Sequence, residues 1–121
     1  MRIGELSKRS GVSIRSLRYY EEQHLLTPER LPSGYRVYED ADVNRVQRIR
    51  ALLAAGLSTR KIEHILPCLT QHQDGIALAC SDLYDELLAE RDELLGRIDT
   101  LRTSVEALET VILASPRPAA V

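Results

Sequence analysis

Phenylalanine and tryptophan are absent from this 121-residue chain, so no large aromatic core can form. Nowhere does the sequence approach the roughly 18–20 consecutive apolar residues that a membrane span needs. Its first residues, MRIGELSKRS, lack the basic-then-apolar profile of a signal peptide. Two cysteines, Cys68 and Cys80, are too few for a disulfide scaffold, and a reducing compartment would keep them as thiols. A cytoplasmic protein with no membrane partner is the expectation. Also missing are a glycine-rich phosphate loop, a Ser/His/Asp arrangement and a paired-carboxylate constellation. The sequence predicts neither an enzyme nor a bound cofactor.

Tyrosine is the aromatic residue present. Four of the five (Tyr19, Tyr20, Tyr35, Tyr38) fall in a window that also holds Arg15, Arg18, Arg30 and Arg36. A tyrosine offers a ring to pack and a hydroxyl to donate to phosphate, which suits a nucleic-acid surface. Charge is divided in the same sense. Residues 1–70 hold 12 Lys/Arg against 8 Asp/Glu, a balance of +4, whereas residues 71–121 hold 4 against 10, a balance of −6. A basic first part joined to an acidic second part is expected when one of them meets polyanions.

Local signals divide the first part into helices and a hairpin. Residues 3–9 read as a short helix broken at Gly11, and Ser13 is placed to cap a second helix over 14–22. This is a helix-turn-helix outline. On the second helix Ile14 and Leu17 are predicted to face inward, with Arg15, Ser16 and Tyr19 outward and Arg18 on the flank. Residues 27–38, with Pro28, Pro32 and the Ser33-Gly34 turn, read as a small β-hairpin wing carrying Tyr35, Arg36 and Tyr38. Asp40 is predicted to cap a third helix that ends at Gly56. Ser58 caps a fourth, whose first turn carries Thr59, Arg60 and Lys61 beside free amides, a phosphate clamp. Residues 1–70 form the predicted DNA-binding domain and 71–79 a linker.

Heptads follow over 80–114. Cys80, Leu87, Leu94, Leu101 and Leu108 recur every seven residues, as do Tyr84, Arg91, Ile98, Val105 and Ile112. A single amphipathic helix cannot bury such a seam unaided, so a second copy of the chain is the simplest partner. Leu87, Leu94, Ile98, Leu101, Val105, Leu108 and Ile112 are the predicted dimerisation residues, and 115–121 a flexible tail.

The runs IGELSKRSGVSIRSLRYYEE and LLTPERLPSGYRVYEDADVNRVQRIRALLAAGLSTRKIEHIL resemble the MerR family of bacterial transcription regulators, and the likeness covers nearly the whole chain. The resemblance implies a mainly α fold: a winged helix-turn-helix followed by a long antiparallel coiled-coil dimerisation helix. It implies a homodimer that bends and untwists a promoter with a long spacer to control RNA polymerase. Arg15, Arg18, Tyr19 and Tyr20 match the family's recognition helix, Tyr35, Arg36 and Tyr38 its first wing, and Thr59, Arg60 and Lys61 the region near its second. Metal-sensing relatives place one Cys at the start of the long helix and more after its end. Cys80 matches the first position and is the candidate sensor, but Ser115-Pro116 stands where Cys-Pro would follow. No metal site is expected; His64, Cys68 and His72 are spaced for zinc, but Pro67 and the linker favour surface residues. A small-molecule effector or thiol chemistry is the expected signal. The alternative reading is an adaptor module that recruits a protein partner through its coiled coil.

Overall fold

A computed structural model describes residues 1–72 and 75–119, with the backbone alone for Gln71 and His72. Helices α1 (Ile3–Ser10) and α2 (Ile14–Glu22) lead into strands β1 (Glu29–Arg30) and β2 (Arg36–Val37). Then come α3 (Ala41–Ala54), α4 (Thr59–Ile65), β3 (Leu69–His72), β4 (Gly75–Leu78) and α5 (Tyr84–Ala114). Two compact units result, Met1–Leu83 and Tyr84–Val121.

The core of the first unit is mostly aliphatic, and with Phe and Trp missing its aromatic members are Tyr20 and Tyr38. Helix α1 packs on α2 and α3, and α3 packs on α4. Between them Leu6, Leu17, Leu25, Val46, Ile49 and Ile62 are fully buried, each contributing about 1.5–3 kcal/mol of apolar burial. The tight joint between α1 and α2 is possible because Gly11 takes φ 75°, a left-handed conformation that side chains resist. Its amide donates to the Ser7 carbonyl at 2.9 Å, while the Ser7 hydroxyl donates to the Val12 carbonyl at 2.7 Å. Ser13 caps α2 as expected, accepting from the Ser16 amide at 3.2 Å.

Helix α2 ends in a Schellman motif. The amide of Leu25 donates to the Tyr20 carbonyl and that of His24 to the Glu21 carbonyl. His24, at φ 62°, occupies the left-handed position where glycine is usual, and the turn sends Leu25 and Leu26 into the core. Helix α3 ends the same way through Gly56, whose amide and that of Leu57 reach the Leu53 and Leu52 carbonyls. One further tie connects the start of the chain to the hairpin. The Met1 ammonium donates to the Tyr38 carbonyl and the Tyr38 amide to the Met1 carbonyl, both at 2.7 Å.

Several expectations are corrected. Ile14 is 38% exposed rather than inward, because it is the first residue of α2 and projects past the core. Asp40 makes no capping bond to α3. Its carboxylate instead accepts from the Arg9 guanidinium at 2.7 Å, which holds the Asp40 carboxyl below the usual carboxylate range. Both partners lie in solvent, where such a pair contributes little. Asp42 does the capping, reaching back to accept the Glu39 amide at 2.9 Å, the returning half of a capping box.

The larger correction lies before α5. Where a linker was expected, β3 and β4 form an antiparallel hairpin, in register from Leu69 opposite Leu78 to His72 opposite Gly75. Residues 73–74 of that stretch, like 120–121 of the expected tail, lie outside the described residues. Cys68 and Cys80 are not separate thiols but a disulfide spanning the hairpin, with Cα atoms 5.3 Å apart. In the chain-entropy account, closing a loop of this size stabilises the fold by about 3 kcal/mol. Cys80 therefore precedes α5 rather than opening its seam, and the heptads begin at Tyr84.

Helix α5 leaves no residue buried. Leu101 is 65% and Ile112 is 67% exposed, members of an apolar row left uncovered among the described residues.

The two carboxylates at the start of α3 can be told apart by mutation. Asp42→Ala should cost about 0.5–2 kcal/mol in urea unfolding, the value of a lost cap, whereas Asp40→Ala should cost well under 1 kcal/mol. The reverse order would return the cap to Asp40.

Candidate nucleic-acid interface

The outward surface of α2 follows from its inward one. At about 100° per residue, Arg15, Arg18, Tyr19 and Glu22 fall within one arc of about 100°. Leu17 and Tyr20 lie on the other side, where both are buried. The four outward residues line a shallow depression. A second one is lined by Arg2, Ile3, Arg18, Gly34, Tyr35 and Arg36. Arg18 belongs to both, so one cationic and aromatic surface runs from α2 to the turn of the β1–β2 hairpin.

This surface is held in place by specific contacts. Arg36 Nε donates to Glu21 Oε1 at 2.8 Å, tying the hairpin to α2 while its terminal nitrogens stay at an exposed edge. The hairpin pairs Arg30 with Arg36 and Glu29 with Val37. The Arg2 guanidinium lies 4.3 Å from the centroid of the Tyr35 ring, a cation–π geometry that the Met1–Tyr38 backbone pair makes reachable. Guanidinium groups and tyrosine hydroxyls at such a surface suit phosphate and base-edge contacts. The Glu22 carboxylate is the one acceptor-only group among them, and it matches a cytosine amino group.

The predicted site residues separate into three sets. Arg15, Arg18, Tyr19, Tyr35 and Arg36 are exposed and share this surface. Ser16 is half-buried, its hydroxyl 3.0 Å from that of Ser13 and so engaged in the cap. Tyr20 and Tyr38 do not reach the surface: they are 5% and 1% exposed. In a core without Phe or Trp they do the packing an aromatic residue does elsewhere. Burial raises the pKa of both phenols, and the Tyr38 hydroxyl has no hydrogen-bond partner among the described residues.

The predicted phosphate clamp at α4 is changed as well. Ser58 accepts the Lys61 amide at 3.2 Å, and the Thr59 hydroxyl donates to Gln23 Oε1 at 3.0 Å. The first bond caps α4 itself, and the second braces it against the end of α2. Arg60 and Lys61 keep exposed side chains. Sequence reasoning missed Arg2, Glu21 and Glu22. No local signal pointed to Arg2, whose ring contact is with Tyr35, and the pairing of Glu21 with Arg36 arises from chain segments 15 residues apart.

The candidate sensor Cys80 is bonded to Cys68. Of the suggested zinc set, Cys68 is therefore committed, and the side chain of His72 lies outside the described residues. Among the described residues no three His, Cys, Asp or Glu side chains converge as a metal site would require.

The family described as MerR HTH family regulatory protein matches residues 1–68. The transcriptional regulator HmrR of Sinorhizobium medicae is 45% identical over 119 residues, covering 98% of this chain and 80% of that protein. Among solved structures, the N-terminal part of the Bacillus subtilis multidrug transporter activator superposes with a TM-score of 0.72 at 25% identity, covering 94% of this chain and 99% of that one. The regulator PbrR691 of Ralstonia metallidurans, solved in complex with lead(II), gives a TM-score of 0.68 at 25% identity, covering 100% and 91%.

The division between surface and core tyrosines is testable. Tyr38→Phe removes a buried hydroxyl without a partner, so unfolding in urea should show unchanged or increased stability, by up to about 1–3 kcal/mol. Its affinity for DNA should match that of the native chain, while Tyr35→Ala should weaken it. A larger loss of DNA affinity in Tyr38→Phe than in Tyr35→Ala would move Tyr38 back to the interface.

Proposed function

Because the chain belongs to the MerR helix-turn-helix family of DNA-binding transcription regulators, we propose that it acts as a homodimer on a promoter with an over-long spacer, bending and untwisting the DNA so that RNA polymerase can use it. The observation that carries this reading is the single surface of Arg15, Arg18, Tyr19, Tyr35 and Arg36, on the part of the chain with the basic excess. Helix α2 enters the major groove with Arg15 toward base edges. The hairpin, through Arg36 and Tyr35, holds the adjacent backbone and sets register. Arg60 and Lys61 add phosphate contacts farther along.

Dimerisation rests on α5. Leu87, Leu94, Ile98, Leu101, Val105, Leu108 and Ile112 form its seam, and an antiparallel pairing of two α5 helices covers the exposed apolar row. Linking two readers turns the second binding event into an intramolecular one. The effector is a small molecule or a thiol-reactive agent rather than a metal held by thiolates alone. Soft metals take two or more thiolates, and the position after the long helix, where metal-sensing relatives carry further cysteines, is Ser115-Pro116 here.

Footprinting on the DNA upstream of its own coding region tests the reading, with the spacer length read from the protected site. Affinity there should fall steeply with salt, with a slope reporting several phosphate contacts. Arg36→Ala should weaken all sequences alike, with the uncovered Glu21 carboxylate adding to the loss. Arg15→Ala should also relax base preference, by about 1–3 kcal/mol at one position. Equal loss of preference in both variants would refute this division of labour, and no shift of any duplex would favour the adaptor alternative.

Assembly is tested separately. Leu94→Asp combined with Leu101→Asp places carboxylates in the seam without partners, so the variant should sediment as a monomer and lose DNA affinity. A dimeric double variant would sink the heptad assignment.

A further inference from the structure

Cys68 and Cys80 are brought together by more than their bond. The β3–β4 ladder sets Leu69 opposite Leu78, and one step beyond it the Ala79 amide donates to the Cys68 carbonyl at 2.6 Å. The hairpin would keep the two side chains adjacent with the bond broken, so each thiol meets the other at high effective concentration. Both residues are half-exposed and within reach of small oxidants and reductants. A regulator of promoter DNA works beside the genome, where bacterial thiols are held reduced and a disulfide is usually transient, catalytic or redox-sensing.

Their place along the chain gives the bond a consequence. Cys68 closes the 3-10 turn that follows α4, whose Ile62 and Ile65 are in the core. Cys80 directly precedes the turn Ser81–Leu83, after which α5 begins. The bond is thus a covalent shortcut within the first unit, from the turn after α4 to the residue before the Ser81–Leu83 turn, whose Leu83 is buried, bypassing the hairpin.

We propose that Cys68 and Cys80 form a reversible dithiol–disulfide couple that makes DNA binding by this chain respond to hydroperoxides or low-molecular-weight disulfides. The proposal deepens the thiol-effector reading above and rests on it. With a hydroperoxide, one thiolate attacks an oxygen, the O–O bond breaks, and a sulfenic acid forms with release of hydroxide or alkoxide. The second thiol then displaces that oxygen as water, making the S–S bond. Two electrons pass from the sulfurs to the peroxide. With a disulfide, two successive exchanges release two thiols, and a dithiol reductant reverses either route. Oxidation ties the two ends of the β3–β4 hairpin covalently; reduction leaves the hairpin ladder as their restraint.

The test equilibrates the full-length native protein with glutathione of varied oxidised-to-reduced ratio, traps free thiols by alkylation, and reads each state by mass. The expected result is a reversible loss of two hydrogens per chain, with a midpoint inside the range of biological thiol buffers, absent from Cys68→Ser and Cys80→Ser. Gel shifts on the DNA upstream of its own coding region should then differ about fivefold or more between the two native states and be insensitive to oxidant in the variants. A bond that survives excess dithiothreitol in the folded protein marks a structural staple and overturns the proposal, as does a dithiol that resists hydroperoxide. Equal affinity of the two native states for that DNA overturns the regulatory role. If neither state binds any duplex, the DNA-binding reading fails instead, while the mass titration still decides the couple. Because those readouts use the native chain, they hold even if a serine variant fails to fold.

Discussion

Burial of Leu17 and Tyr20 on one side of α2 sets the direction in which Arg15, Arg18 and Tyr19 project. A helix of nine residues has few turns with which to hold its rotation, and a rotation of one residue would carry Arg15 off the surface and Tyr20 out of the core. The Gly11 turn, the Ser13 cap and the Schellman ending at His24 each limit that freedom. His24 adopts a left-handed conformation that costs a residue with a side chain about 1 kcal/mol. In return Leu25 and Leu26 are delivered into the core directly after the helix.

The hairpin depends on the same helix. Two strands of two residues each have little stability alone. The Arg36–Glu21 pair, the Met1–Tyr38 backbone bonds and the buried Tyr38 ring attach it to its neighbours at three points. Each contact also places a surface residue: Arg36 directly, Arg2 through the chain start, and Tyr35 beneath the Arg2 guanidinium. Stability and the proposed recognition draw here on adjacent atoms of the same residues. The buried Tyr38 hydroxyl without a partner is the exception, since nothing in the described structure explains its retention over a phenyl ring.

In the second unit the physics differs. Helix α5 has a regular apolar row and an acidic remainder, yet no residue of it is buried. In the proposed dimer, what covers that row is the α5 of a second copy, which is what heptads of this kind favour.

Much of this was legible in local signals. Gly11 and Ser13, Pro28 through Gly34, Gly56 and Ser58, and the heptad leucines act on their own neighbours within a few residues, so turns, caps, helix periods and the charge division could be read in order along the chain. The family motif added the match of α2 and the first hairpin to known regulators. What could not be read this way depended on residues distant in sequence meeting in space. Tyr19 and Tyr20 are chemically identical, and only the packing of α1 and α3 sends one to solvent and the other inward. Asp40 satisfies every local rule for a cap, but Arg9, 31 residues away, offers its carboxylate a charged partner and Asp42 takes the cap. Cys68 and Cys80 read as separate thiols on either side of a linker until β3 and β4 pair, because hydrogen-bond register, which composition and periodicity do not record, is what brings two sulfurs within bonding distance.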